Sequence, residues 1–76
     1  MRVKINETAI IVCRFARARY HGSKCCIYRS PSIVVVGING DEYCICFDTK
    51  EEAKEAMDQL LVNGYYDASG KEVEVL

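Results

Sequence analysis

The apolar positions of this chain change period along its length, and each change marks a predicted element. From Arg2 to Ile5 polar and apolar residues alternate, as in a short half-buried strand. Around Ile11, Cys13 and Phe15 the apolar residues occupy odd positions, and in Ala16, Ala18 and Tyr20 they occupy even ones. Strand side chains alternate between faces, so one extra residue near Phe15-Ala16 flips the parity, and a β-bulge is predicted there. It would turn Arg14 to the side of Arg17 and Arg19. From Ile33 to Phe47 two apolar runs flank Asn39-Gly40, the preferred pair for a two-residue type I′ hairpin loop. That loop pairs residues whose numbers sum to 79, placing Val34 opposite Ile45 and Val36 opposite Tyr43. Ile38 and Phe47 share their face, while Ile33, Val35, Cys44 and Cys46 take the other. Both faces are largely apolar. A sheet covered by one helix needs only one such face, so the second calls for cover, from curling of the sheet or from a second subunit.

The period then becomes helical. Ala53, Ala56, Met57, Leu60 and Leu61 recur at i, i+3, i+4, i+7 and i+8, which predicts one apolar stripe on a helix over Thr49–Val62. Either Asp48, with Glu51 three residues on, or Thr49, with Glu52, satisfies the capping-box pattern. Asn63-Gly64 supplies the left-handed stop. Glu51, Glu52, Glu55 and Asp58 fall on the wet side or at the start of the helix, where its dipole favours acids. Three weaker turn or breaker signals complete the outline. Gly22-Ser23 suits a type II′ loop and pairs numbers summing to 45, so that Arg17, Arg19, His21, Lys24, Cys26 and Tyr28 share one face of a 14–29 hairpin. Ser30-Pro31-Ser32 separates the two hairpins, since proline cannot donate to a ladder. Tyr65-Tyr66 and Glu72–Leu76 flank Asp67-Ala68-Ser69-Gly70, predicting a third, short hairpin. The expected fold is α+β: a curved, mainly antiparallel sheet of five to six strands packed by a single α-helix, about residues 49–62, in one domain spanning 1–76.

Charge adds direction to this outline. Residues 1–40 hold seven Lys or Arg against one acid, 7 − 1 = +6, and residues 41–76 hold three against ten, 3 − 10 = −7. The net charge of −1 conceals a strong dipole. Much of the positive half maps to the predicted hairpin face, Arg14, Arg17, Arg19, His21, Lys24 and Tyr28, and much of the negative half to the helix. Charge with an aromatic ring suits phosphates and an unpaired base, so this face is a candidate for RNA or single-stranded nucleic acid. Solvation of an exposed hairpin, or pairing with acids of the same or a neighbouring molecule, accounts for it equally. The sequence pI of 5.7 lacks the basic footprint of most nucleic-acid binders.

The five cysteines, Cys13, Cys25, Cys26, Cys44 and Cys46, are an odd number without a charged-then-apolar leader, which argues for buried thiols rather than a disulfide framework. Cys44-x-Cys46 with His21 and Cys25 or Cys26 could be drawn as a zinc site, but the spacing differs from zinc knuckles that sit on tight turns. No metal and no cofactor is expected. His21 is the only histidine and has no third group to orient it, so the chain is not expected to be an enzyme. With no apolar run of about 18 residues, no membrane span is expected, and the protein reads as cytoplasmic. The strand from Tyr43 to Phe47, followed by Asp48-Thr49-Lys50-Glu51-Glu52-Ala53, resembles the strand-into-capped-helix pattern of many small bacterial and phage proteins, over less than a third of the chain. The reading reached is a non-catalytic accessory or inhibitor-type protein that binds a protein partner, itself included as a homodimer, through interfaces of the kind tyrosine and arginine anchor. The alternative is nucleic-acid binding through the 14–29 hairpin.

Overall fold

The computed structural model describes residues 1–19 and 31–76. The order is β1 (Arg2–Asn6), β2 (Ala9–Arg19), β3 (Ser32–Gly37), β4 (Glu42–Cys46), α1 (Lys50–Asn63), β5 (Tyr65–Asp67) and β6 (Glu72–Val75). They form one six-stranded sheet in the order β5-β1-β2-β3-β4-β6, with β5 parallel to β1 and every other pair antiparallel. The helix packs on one face of this curved sheet. An α+β fold with a curled sheet and one helix is therefore what the chain adopts. The hairpin about Gly22-Ser23, with Tyr20, His21, Lys24, Cys25, Cys26 and Tyr28, lies outside the described residues, as does the Arg19 side chain.

The helix ends are set locally. Thr49, not Asp48, is the N-cap: its hydroxyl accepts from the Glu52 N–H at 3.1 Å. At the far end Gly64 is left-handed (φ 69°) and donates its N–H to the Leu60 carbonyl. Ala53, Ala56 and Leu60 are buried with Met57 half-buried beside them, but Leu61 points to solvent, departing from the expected stripe. They meet Val3, Ile11, Ile33, Val35, Ile45 and Phe47 from the sheet.

The 33–47 hairpin has its turn where the sequence places it, but in a different register. Ile33 lies opposite Ile45, Val34 opposite Cys44 and Val35 opposite Tyr43, so paired numbers sum to 78, not 79. The loop has three residues, Ile38-Asn39-Gly40, closed by Gly40 N–H to the Gly37 carbonyl and Gly37 N–H to the Asp41 carbonyl. Gly40 is left-handed at φ 94°, and the Asn39 side chain accepts from the Asp41 N–H. Three-residue hairpin loops commonly need one left-handed residue, supplied here by Gly40, whereas type I′ demands a positive φ at both central residues. The slip moves Ile45 to the side of Ile33 and Val35, with Val34, Val36, Cys44 and Cys46 on the other. That other face is buried too: Val34 and Cys44 are 0% exposed. On β3 and β4 the second face is thus buried within the chain, while β2 leaves Phe15 and Arg17 of the same face exposed.

The predicted bulge exists one residue earlier than expected. The β2–β3 register shifts between Cys13 and Phe15, so Ile11 and Cys13 face the core, Ala16 returns to it, and Phe15 turns outward. The predicted C-terminal hairpin does not form. β5 pairs with β1 and β6 pairs with β4, at opposite edges of the sheet. Six flat strands would set those edges about 24 Å apart, at about 4.8 Å per gap. The five steps from Asp67 to Glu72 reach at most about 18 Å. The sheet must therefore curl, and the short crossover holds it curled. Ala68, fully buried, donates its N–H to the Lys4 carbonyl, and Lys71 sits 5.6 Å over the Phe47 ring and 3.4 Å from Glu52 of the helix.

Candidate binding surface on the outer face of β2

The strand β2 does two jobs. Up to Cys13 it pairs with β1, and from Cys13 onward it pairs with β3. The bulge at Arg14 separates the two halves and fixes which side chains point away from the helix. Arg2 lies opposite Val12 and Lys4 opposite Ile10 on β1, while Phe15 lies opposite Val36 and Arg17 opposite Val34 on β3. Cross-strand partners share a face. Ile10, Val12 and Phe15 thus line one outward stripe, and Ile38 joins it through its N–H to the Val12 carbonyl, 3.0 Å. Phe15 is 48% exposed and Ile38 65%, and Ile10 and Val12 are exposed as well. Four large apolar side chains on one outer face are more than scattered surface apolars.

Where β2 leaves β3, a notch of about 220 Å³ opens between Ile10, Ile11, Val12, Ile38 and Tyr43, with Gly37 in its lining. A Cβ added at Gly37 would meet the Asn39 carboxamide oxygen at 2.6 Å, so the Asn39 side chain, which accepts from the Asp41 N–H, would have to shift.

Of the basic residues singled out from the sequence, two are described with their side chains. Arg14, at the bulge, is exposed, with no ion pair among the described residues. Arg17 is exposed but engaged: its guanidinium lies 3.4 Å from the Glu42 carboxylate on β4. Arg19 lies on β2 by its backbone, and the arrangement of its side chain with His21, Lys24 and Tyr28 lies outside the described residues. The apolar members Ile10, Val12, Phe15 and Ile38 were not singled out. One signal was present: Ile10-Ile11-Val12 places three apolar residues in a row on a strand, so at least one must face away from the core.

Other groups with chemical potential are held in structural roles. Burial pushes the Cys13 thiol above its usual range, with the chain's amino terminus opposing weakly, which makes it a poor nucleophile. Burial likewise raises the Tyr66 phenol, against the attraction of Lys71. Asp67 is held below the usual carboxylate range by hydrogen bonds from the Ser69 side chain and backbone, aided by Lys4. Cys46 carries a thiol, but Cys44 is disulfide-bonded, contrary to the expectation of thiols throughout. Among the described residues no group of three or more His, Cys, Asp or Glu could hold a metal ion. A further cavity of about 230 Å³, between Ala18, Ser32, Ala53 and Met57 and edged by Lys54 and Asp58, is smaller than the roughly 300–1,000 Å³ of small-molecule pockets. Among the described residues no helix is long and apolar enough to cross a membrane.

Compared with known proteins, the chain matches no family model, no curated protein and no solved structure.

Proposed function

We propose that this chain is a small non-catalytic binding domain, of the accessory or inhibitor type, that docks a protein partner through the outer face of β2. The observation that carries the reading is the outward stripe of Ile10, Val12, Phe15 and Ile38 beside Arg2 and Arg14. Apolar anchors edged by arginine are the composition of protein interfaces, where charged groups at the rim steer encounter and the apolar centre supplies affinity. The partner surface should be acidic with apolar residues of its own. Nucleic acid fits less well, because Arg17 already serves Glu42 and the stripe sets three aliphatic side chains against a single ring, Phe15, rather than a row of stacking platforms. The resemblance to small bacterial and phage proteins suggests that kind of source. The cytoplasmic placement expected from the sequence is the part that the Cys44 disulfide weighs against.

The test is comparative capture from host extract with the wild-type chain and with Arg14→Ser/Phe15→Ser, after circular dichroism confirms that the variant folds. A protein retained by the wild type and lost by the variant supports the reading. Identical captured sets, or a nuclease-sensitive set, would overturn it.

A further inference from the structure

The outer stripe of the helix is the chemical complement of the β2 face. Glu51, Glu55, Asp58 and Val62 recur at i, i+4, i+7 and i+11, and this stripe lies opposite the buried Ala53, Ala56 and Leu60. None of its three acids has an ion pair among the described residues, whereas Glu52, one stripe over, is engaged by Lys71. At its C-terminal end the acidic stripe runs into bare hydrocarbon, Leu61 at 62% and Val62 at 82% exposure. The helix therefore presents acids followed by an apolar tip. β2 presents an apolar stripe beside Arg2 and Arg14. Their lengths agree: the eleven steps of helix from Glu51 to Val62 span about 17 Å at 1.5 Å per step. The five steps of strand from Ile10 to Phe15 span about 17 Å at 3.3 Å each, less what the bulge removes.

We infer that the occupant of the β2 face is a second copy of this chain, docked by the acidic outer stripe of its helix. This rests on the reading of β2 as a docking face and names its partner. The two patches lie on opposite faces of the sheet, since Ile10, Val12 and Phe15 point away from the side on which the helix packs. One molecule cannot offer both patches to the same neighbour, so the contact is head-to-tail. Each added copy leaves a free helix at one end and a free β2 face at the other, and assembly does not stop at two unless a ring closes. The sorting of charge into a basic first half and an acidic second half follows from this arrangement, because opposite halves of neighbouring copies meet. Salt weakens it, because Arg2 and Arg14 and the facing acids are solvent-exposed until they dock.

Sedimentation equilibrium of the full chain across a wide concentration range, at low and high salt, tests this with two surface variants. Arg14→Ser/Phe15→Ser removes the β2 patch and leaves the helix intact. Asp58→Ser/Val62→Ser removes the helix stripe and leaves β2 intact. The expected wild-type mass rises with concentration beyond two chains at low salt and falls toward one chain at high salt. Each variant alone should stay a monomer, and a mixture of the two should stop at two chains, because only one productive contact remains. A wild type that is monomeric throughout, a closed dimer unchanged by either variant, or a mixture that stays monomeric overturns the inference. Monomeric wild type with a captured protein that still depends on Arg14 and Phe15 overturns self-docking and leaves the binding reading standing. Monomeric wild type with no such dependence overturns both.

Discussion

The Arg17 guanidinium of β2 reaches across β3 to the Glu42 carboxylate of β4, at 3.4 Å. It ties three strands together on the outer face, and it explains why one arginine of the basic cluster is less available to a partner than Arg14. Both side chains are about half exposed, so the pair is hydrated and screened. A double-mutant cycle with Arg17→Ala and Glu42→Ala, read by urea denaturation, should give a coupling below about 1 kcal/mol that shrinks with added salt. A coupling well above that, or one indifferent to salt, would mark the pair as a structural clamp.

Val34 and Val35 are sequence neighbours on opposite faces of β3, and both are completely buried. Val35 packs in the cluster beneath the helix, and Val34 lies opposite Cys44 on the other side. An aspartate at either site must be buried charged without a partner or be held neutral, and either course costs several kcal/mol. Val34→Asp and Val35→Asp should therefore be comparably damaging, each lowering stability by roughly 3 kcal/mol or more, up to loss of the fold. If Val34→Asp were tolerated at low protein concentration, the second face would be an interface rather than interior.

What could be read in advance divides by how local the determinants are. The helix was legible because its signals sit within one or two turns: the Thr49 hydroxyl, the apolar stripe and the left-handed Gly64. Choosing Thr49 over Asp48 was not, since both satisfy the same capping pattern. The Asn39-Gly40 turn was legible as a position but not as a loop length. A one-residue slip normally exposes the apolar face and is penalised. Here both faces are apolar, so the pattern offered no penalty and turn geometry alone decided the register. The pairing of β5 with β1 was illegible for a different reason. It joins Tyr66 to Val3 across most of the chain, and a local turn signal at Ser69-Gly70 reads as a hairpin whether its flanking strands pair with each other or not. Phe15 was misplaced by a bulge shifted one position, and with it went the apolar half of the docking face.

Asp67 anchors the turn that holds the sheet curled. Its carboxylate accepts from the Ser69 N–H at 2.9 Å and from the Ser69 side chain, and Lys4 lies 4.0 Å away, which together hold its pKa below the unfolded value. A carboxylate depressed on folding adds stability that is present above its unfolded pKa, about 3.9, and is lost as pH falls through the lower folded value. In Asp67→Asn that contribution should be missing, so the variant is less stable than wild type near neutrality. The difference should narrow below about pH 4. Thermal midpoints of both proteins across the acid range would check this, and a gap that stays constant down to the lowest pH would exclude an ionic role for Asp67.

The disulfide at Cys44 separates it chemically from Cys46, two residues along the same strand and on the same buried face. A cross-link in so short a chain constrains the unfolded ensemble, and losing one costs a small domain about 2–5 kcal/mol. Adding a strong reductant should accordingly lower the denaturation midpoint of the wild type, and Cys44→Ser should show the lower midpoint with or without reductant. Thiol counting gives an independent check. Of five cysteines, a disulfide removes two, 5 − 2 = 3, so alkylation of the denatured, unreduced chain should label no more than three. Five labelled sites in freshly isolated protein would show that the native compartment keeps Cys44 reduced. That result would restore the case for a reducing interior, because disulfides persist where the surroundings are oxidising and are rare where thiol reductants are maintained.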